Sequence, residues 1–137
     1  MQLRICVDVS ELDAGIAFYR DGLGLTLGRR LDSKWAEMLG APCPVDLLAE
    51  AAGTAASPRS TAVRDYARHW TPLHLDIEVT ALEAALQRAV AAGATIDQQI
   101  QPRKWGRIAV LADPFGNGFC LLEFQGKGYG ELLGESG

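Results

Sequence analysis

The chain has 137 residues, 48% of them hydrophobic and 22% charged, with a formal net charge of −4. This is the size of one ordinary domain with a real core, and the composition sets it apart from the disordered and membrane classes. The acidic balance, without a Lys/Arg cluster, offers no electrostatic footprint for phosphate, so nucleic acid is not an expected partner.

No apolar run approaches membrane-spanning length, and residues 1–10 lack a basic segment followed by an uninterrupted apolar one. No membrane partner and a cytoplasmic location are therefore expected. Cys6, Cys43 and Cys120 are odd in number and show no CxxC spacing, so neither a disulfide framework nor a zinc knuckle is suggested. Buried free thiols are the default expectation.

Residues 3–9 alternate Leu3, Ile5, Val7 and Val9 with Arg4, Cys6 and Asp8, the two-residue period of a strand with one buried face. Ser10 and Asp13 form an imperfect capping box ahead of a helix carrying Leu12, Ile16, Tyr19 and Leu23, which Gly22 and Gly24 end. Residues 25–31, 35–39 and 45–49 read as a meander of three short strands. Residues 51–65 are small and polar, the composition of a linker.

The pattern then begins again. Apolar positions 3, 5, 7, 9, 12 and 16 are matched seventy residues later by Leu73, Leu75, Ile77, Val79, Leu82 and Leu86, with Asp8/Glu78, Ser10/Thr80 and Asp13/Glu83 as polar matches. An alanine-rich helix over 81–92, closed by Gly93, precedes strands at 95–100, 106–112 and 119–124. Asp113-Pro114 and Gly116-Asn117-Gly118 turn the chain between the last two strands. In the last strand Glu123 stands with Leu121 and Phe119, while Cys120, Leu122 and Phe124 face the other way. Two such modules, about 1–50 and 71–125, with a linker about 51–70 and a tail 126–137, make a single domain. Its class is α+β: paired βαβββ modules forming a curved, cup-like mixed sheet with helices on the outer face. Arg4/Cys6/Asp8 and His74/Asp76/Glu78 point away from the helices and line the concave surface.

Three stretches carry a family resemblance: Val7-Asp8-Val9-Ser10-Glu11-Leu12 leading to Ala17–Leu25, then His74–Val79, and then Asp113-Pro114-Phe115-Gly116-Asn117 ending in Leu122-Glu123. They resemble the vicinal oxygen chelate superfamily, which includes glyoxalase I, the bleomycin-resistance and fosfomycin-resistance proteins and the extradiol dioxygenases. The resemblance implies a homodimer and, in metal-using members, ligands on the first, fourth, fifth and eighth strands. It places His74 at the fifth-strand and Glu123 at the eighth-strand position, as catalytic and metal-binding candidates. Asp46 is the fourth-strand candidate, with Glu50 as an alternative. The first-strand position is Arg4, a departure from the pattern. A guanidinium cannot lose its charge, and beside a divalent cation it would cost several kcal/mol, about 4 per unit-charge pair at 4 Å.

The expectation is therefore a cup without metal, in which Arg4 pairs with Glu123 and a small organic molecule, of anionic class, is bound with Arg4, Trp105, Asp76 and Trp35 as substrate-binding candidates. The alternative is a divalent-metal-dependent lyase or isomerase (Zn, Ni, Mn or Fe) using His74, Glu123 and Asp46. An extradiol dioxygenase needs two histidines where this chain offers one. A regulatory binding partner with a vestigial cup is the third class.

Overall fold

In a computed structural model, residues 1–134 are described, and the last three residues of the expected tail lie outside them. The first module runs β1 (Ile5–Val9), α1 (Leu12–Asp21), β2 (Thr26–Leu31), β3 (Trp35–Leu39) and β4 (Val45–Ala49). The second runs β5 (Leu75–Glu78), α2 (Leu82–Ala91), β6 (Thr95–Arg103), β7 (Gly106–Ala112) and β8 (Gly118–Phe124), followed by a 3-10 turn over Gly128–Leu133. The sheets have the same order, β1-β4-β3-β2 and β5-β8-β7-β6, each with one parallel pair at the end where its module begins. The fold is α+β, built from two four-stranded mixed sheets that are open rather than closed into a barrel.

The two modules share one core. Val9, Ile16, Phe18, Tyr19, Met38 and Leu47 from the first pack in a continuous cluster with Leu82, Leu86, Ala89, Leu111, Phe119 and Leu121 from the second. Each fully buried large side chain of this kind contributes about 1.5–3 kcal/mol. The apolar stripe is shorter than the sequence pattern implies, because Leu3 and Leu73 precede their strands and are 63% and 83% exposed.

The modules are pinned by the turn between β7 and β8. Asp113, 3% exposed, accepts from the Tyr19 hydroxyl at 2.7 Å, from Phe115 N at 2.8 Å and from Asn117 N and Nδ2 at 3.0 Å. Asn117 Nδ2 also donates to the Asp8 carbonyl at 3.1 Å. Gly116 sits in this turn at φ +80, with the Ala67 carbonyl packed where a side chain would begin.

The first helix does not use the cap expected of it, and the second has no side-chain cap at the matching place. Glu11 and Ala81 occupy the N-cap positions and make no side-chain cap bond, so Ser10 and Thr80 do not serve. The linker is also tied down: Gly53 and Arg64 exchange backbone bonds with one another's neighbourhood, and Arg64 Nε reaches Asp8 Oδ2 at 2.7 Å. No helix among the described residues is long and apolar enough to cross a membrane.

Candidate functional site

Strand alternation decides which side chains can meet. Val9 on β1 and Leu47 on β4 face the helices and are fully buried, so Arg4, Cys6, Asp8 and Asp46 share the opposite, concave face. Cys6 is paired with Asp46 in the β1–β4 register, and Asp46 with Glu37 in the β3–β4 register. Arg4 therefore reaches both acids: Nε and Nη2 donate to Asp46 at 2.8 and 2.7 Å, and Nη2 also donates to Glu37 at 2.8 Å. Arg29 closes the cluster from β2, donating to Glu37 at 2.8 and 2.9 Å.

The two acids are nearly inaccessible, at 7% exposed for Asp46 and 5% for Glu37. Hydrogen bonds from Arg29 and then Arg4 hold the Glu37 carboxyl well below the usual carboxylate range, and Asp46 followed by Glu37 raises the Arg4 guanidinium further. The charges cancel, and among the described residues Arg4 Nη1 makes no hydrogen bond.

Glu123 does not join this cluster. Its strand face is that of Leu121 and Phe119, which are buried under the helices, so it lies on the outer side of the sheet. There Oε2 accepts from Leu82 N at 2.9 Å at the start of α2, and Oε1 accepts from Arg107 Nη2 at 2.9 Å. Arg107 is bound in turn by Glu83 of α2. Glu123 thus caps the first turn of the second helix from outside it. The Leu82 N–H and then Arg107 hold its carboxyl below the ordinary range, the opposite of what a proton shuttle at neutral pH requires.

The expected Arg4–Glu123 pair is corrected on this ground: parity places the two on opposite faces, and Arg4 finds Asp46 and Glu37 instead. Of the metal set His74, Glu123 and Asp46, Glu123 is held by Arg107 and Asp46 by Arg4. Those residues do not fit a shared divalent ion. Glu50 is no better, since Lys34 Nζ binds it at 2.6 Å.

On the second module's concave face His74 and Asp76 meet at 3.1 Å, Nδ1 to Oδ1. Asp76 is paired in register with Cys120 of β8. One ligand atom from each of His74, Asp76 and Cys120 lies within 4.8 Å of the others. Burial, and then Asp76, push the Cys120 thiol up to about 11. Cys120 is the buried cysteine of the three; Cys6 is exposed and Cys43 half-buried, against the expectation that all three are buried.

The two tryptophans expected as ligand contacts pack against neighbouring side chains. Trp105 packs edge-on against Phe124 and Tyr129, at 5.5 and 5.2 Å between ring centres. Trp35 lies under the Arg29 guanidinium at 6.0 Å. Glu37, Arg64, Arg107 and Cys120 were not singled out from the sequence. The parity of β8, which sets Cys120 opposite Glu123, was the available signal for Cys120.

Two βαβββ modules with polar faces turned away from their helices define the vicinal oxygen chelate architecture. The model of the Glyoxalase-like domain family matches residues 4–122, and the chain belongs to that family. Solved structures of the same fold include the fosfomycin resistance protein FosX of Listeria monocytogenes, with TM-score 0.69 and 16% identity over 91% of this chain and 93% of that one. A glyoxalase/bleomycin resistance protein/dioxygenase family enzyme of Burkholderia phytofirmans has TM-score 0.67 and 17% identity, covering 89% and 97%. A FosX variant complexed with Mn(II) and 1S,2S-dihydroxypropylphosphonic acid has TM-score 0.67 and 18% identity, covering 87% and 86%. In sequence, 52 residues are 42% identical to an uncharacterised protein of Mycobacterium bovis, covering 37% of this chain and 34% of that one. The match thus spans about a third of the curated relative's length.

Proposed function

We propose that the chain is a glyoxalase/bleomycin-resistance-like protein that holds a small organic molecule on its concave face without a metal ion bridging the two modules. The observation that carries this reading is the two-pronged grip of Arg4 on Asp46, at 2.8 and 2.7 Å. It fills the first-module corner with a permanent cation and occupies the carboxylate a metal would need. With Arg4 neutralised by its partners, the anion preference expected of it narrows to what the open Nη1 edge can offer: a hydrogen bond to an oxygen of the ligand.

A second copy of the chain completes the cup in this reading. Both module-initial strands end their sheets, and Leu3, Trp70 and Leu73 beside them are 63%, 82% and 83% exposed, a surface suited to a homodimer. Light scattering at micromolar concentration would show twice the monomer mass. The net charge of −4 supports a small molecule rather than nucleic acid as partner, in a cytoplasmic protein.

The divalent-metal lyase or isomerase built on Asp46, His74 and Glu123 loses support because two of its three residues are engaged elsewhere. The likeness to a manganese-bound FosX is at 18% identity and speaks for the fold alone. A thermal-shift and calorimetric screen of small carboxylates, phosphonates and uncharged aromatics in EDTA tests the reading. Binding that persists in EDTA and weakens in Arg4→Met supports it, and binding that appears only with added Mn(II) or Mg(II) refutes it.

A further inference from the structure

We infer that the second module alone carries a site for a thiophilic divalent ion of the zinc class, formed by His74, Asp76 and Cys120. The three donors are of three kinds, nitrogen, oxygen and sulfur, and they lie within 4.8 Å of one another. Tetrahedral zinc, with bonds of about 2.0–2.3 Å, sets its donor atoms about 3.3–3.7 Å apart. His74 Nδ1 and Asp76 Oδ1 already stand at 3.1 Å.

The remaining contraction is small and falls on the side chains able to make it. His74 and Asp76 are 56% and 42% exposed, which leaves room to adjust χ1 and χ2. Cys120 is the fixed point, buried on β8 beside its register partner Asp76. With two of its three donors on exposed side chains, an ion held here would keep a fourth position for a water or a ligand oxygen.

The repeat supplies an internal control. In the first module the same three places in the sheet hold Arg4 and Cys6, seventy residues before His74 and Asp76, and Asp46, which pairs with Cys6 as Cys120 pairs with Asp76. There a guanidinium stands in the histidine's place and binds the carboxylate. The first-module corner carries its own cation, while the second presents an imidazole, a carboxylate and a thiol with no basic side chain among them. A sulfur ligand favours zinc, cadmium or cobalt over magnesium or manganese. Binding displaces the thiol proton, so affinity rises with pH.

The test is a titration of the full chain, stripped of metal and kept reduced, with Co(II) alone. One equivalent produces a near-ultraviolet thiolate-to-cobalt band that Zn(II) then abolishes. Cys120→Ser loses the band and weakens Co(II) binding about 100-fold or more, Cys6→Ser changes neither, and His74→Ala, an exposed substitution, weakens binding at least about tenfold. No band in the wild-type chain, a band that survives Cys120→Ser or vanishes in Cys6→Ser, or an unchanged affinity in His74→Ala overturns the inference. The His74→Ala arm decides the matter if Cys120→Ser does not fold. No organic ligand is present, so failure here leaves the cup reading standing, and the reverse.

Discussion

Removing a single oxygen at Tyr19 probes the joint between the modules. Tyr19 is 4% exposed, its ring stacks edge-on against Phe18 at 5.2 Å, and its hydroxyl donates to Asp113 Oδ2 at 2.7 Å. Tyr19→Phe keeps the ring and its packing, so no sizeable cavity forms and the hydrogen bond is the term removed. A bond to a charged acceptor is worth about 1.5–3 kcal/mol, and Asp113 keeps its three other donors, so a loss of about 2 kcal/mol is expected. At roughly 3–5 °C per kcal/mol for a chain of this size, that is a fall in Tm of about 6–10 °C. Urea unfolding read by fluorescence and circular dichroism measures it, with an unchanged m-value. There is also a pH signature. Burial, and then the Asp113 carboxylate, push the Tyr19 hydroxyl well above its ordinary value. This stability is fully present below about pH 10, where an unfolded tyrosine titrates, and is lost as the pH rises beyond it. Tyr19→Phe abolishes that alkaline loss. A destabilisation below about 0.5 kcal/mol would refute the view that this bond couples the modules.

Three further outcomes follow from the same contacts. Arg4→Met leaves Asp46 buried without its bidentate partner and lowers Tm at pH 7. Because Glu37 is held below its ordinary range by Arg29 and then Arg4, the wild-type advantage is full above about pH 4.3 and shrinks as the pH falls, so the Tm gap between variant and wild type narrows in a series down to pH 3. Glu123→Ala removes the acceptor for Leu82 N and the partner of Arg107; Tm falls while any cup ligand binds as before, and loss of binding with unchanged Tm would restore a site role to Glu123. Gly116→Ala drives a methyl group into the Ala67 carbonyl at a positive φ and costs about 2 kcal/mol or more, measured by urea unfolding.

The architecture was readable because the seventy-residue repeat sets two independent copies of one pattern side by side, and β3, β4 and β7 fall at the expected bounds. Where the ends differ, the cause is local: Leu3 and Leu73 keep the apolar alternation but lie before the first ladder partner of their strands. The site was less readable, although one part of it was within reach. The period of two already put Glu123 with Leu121 and Phe119, and those two had to face the helices, so Glu123 could not share a pocket with His74. Family position and strand parity conflict at Glu123, and parity decides. Arg4's partners were harder to foresee, because β3 and β4 must first be placed in register before Glu37 and Asp46 stand under the same guanidinium. Trp105 was likewise beyond sequence reach, since its partner Tyr129 returns from the segment after β8.

The central claim is that Arg4, and not a metal, occupies the first-module corner. Calorimetric titration of the metal-stripped chain with Mn(II), which favours oxygen and nitrogen donors over thiolate, tests it most directly. The wild-type chain should take up less than about a tenth of an equivalent. Stoichiometric uptake that disappears in Asp46→Asn would mean that Arg4 yields Asp46 to the ion, and would contradict the account.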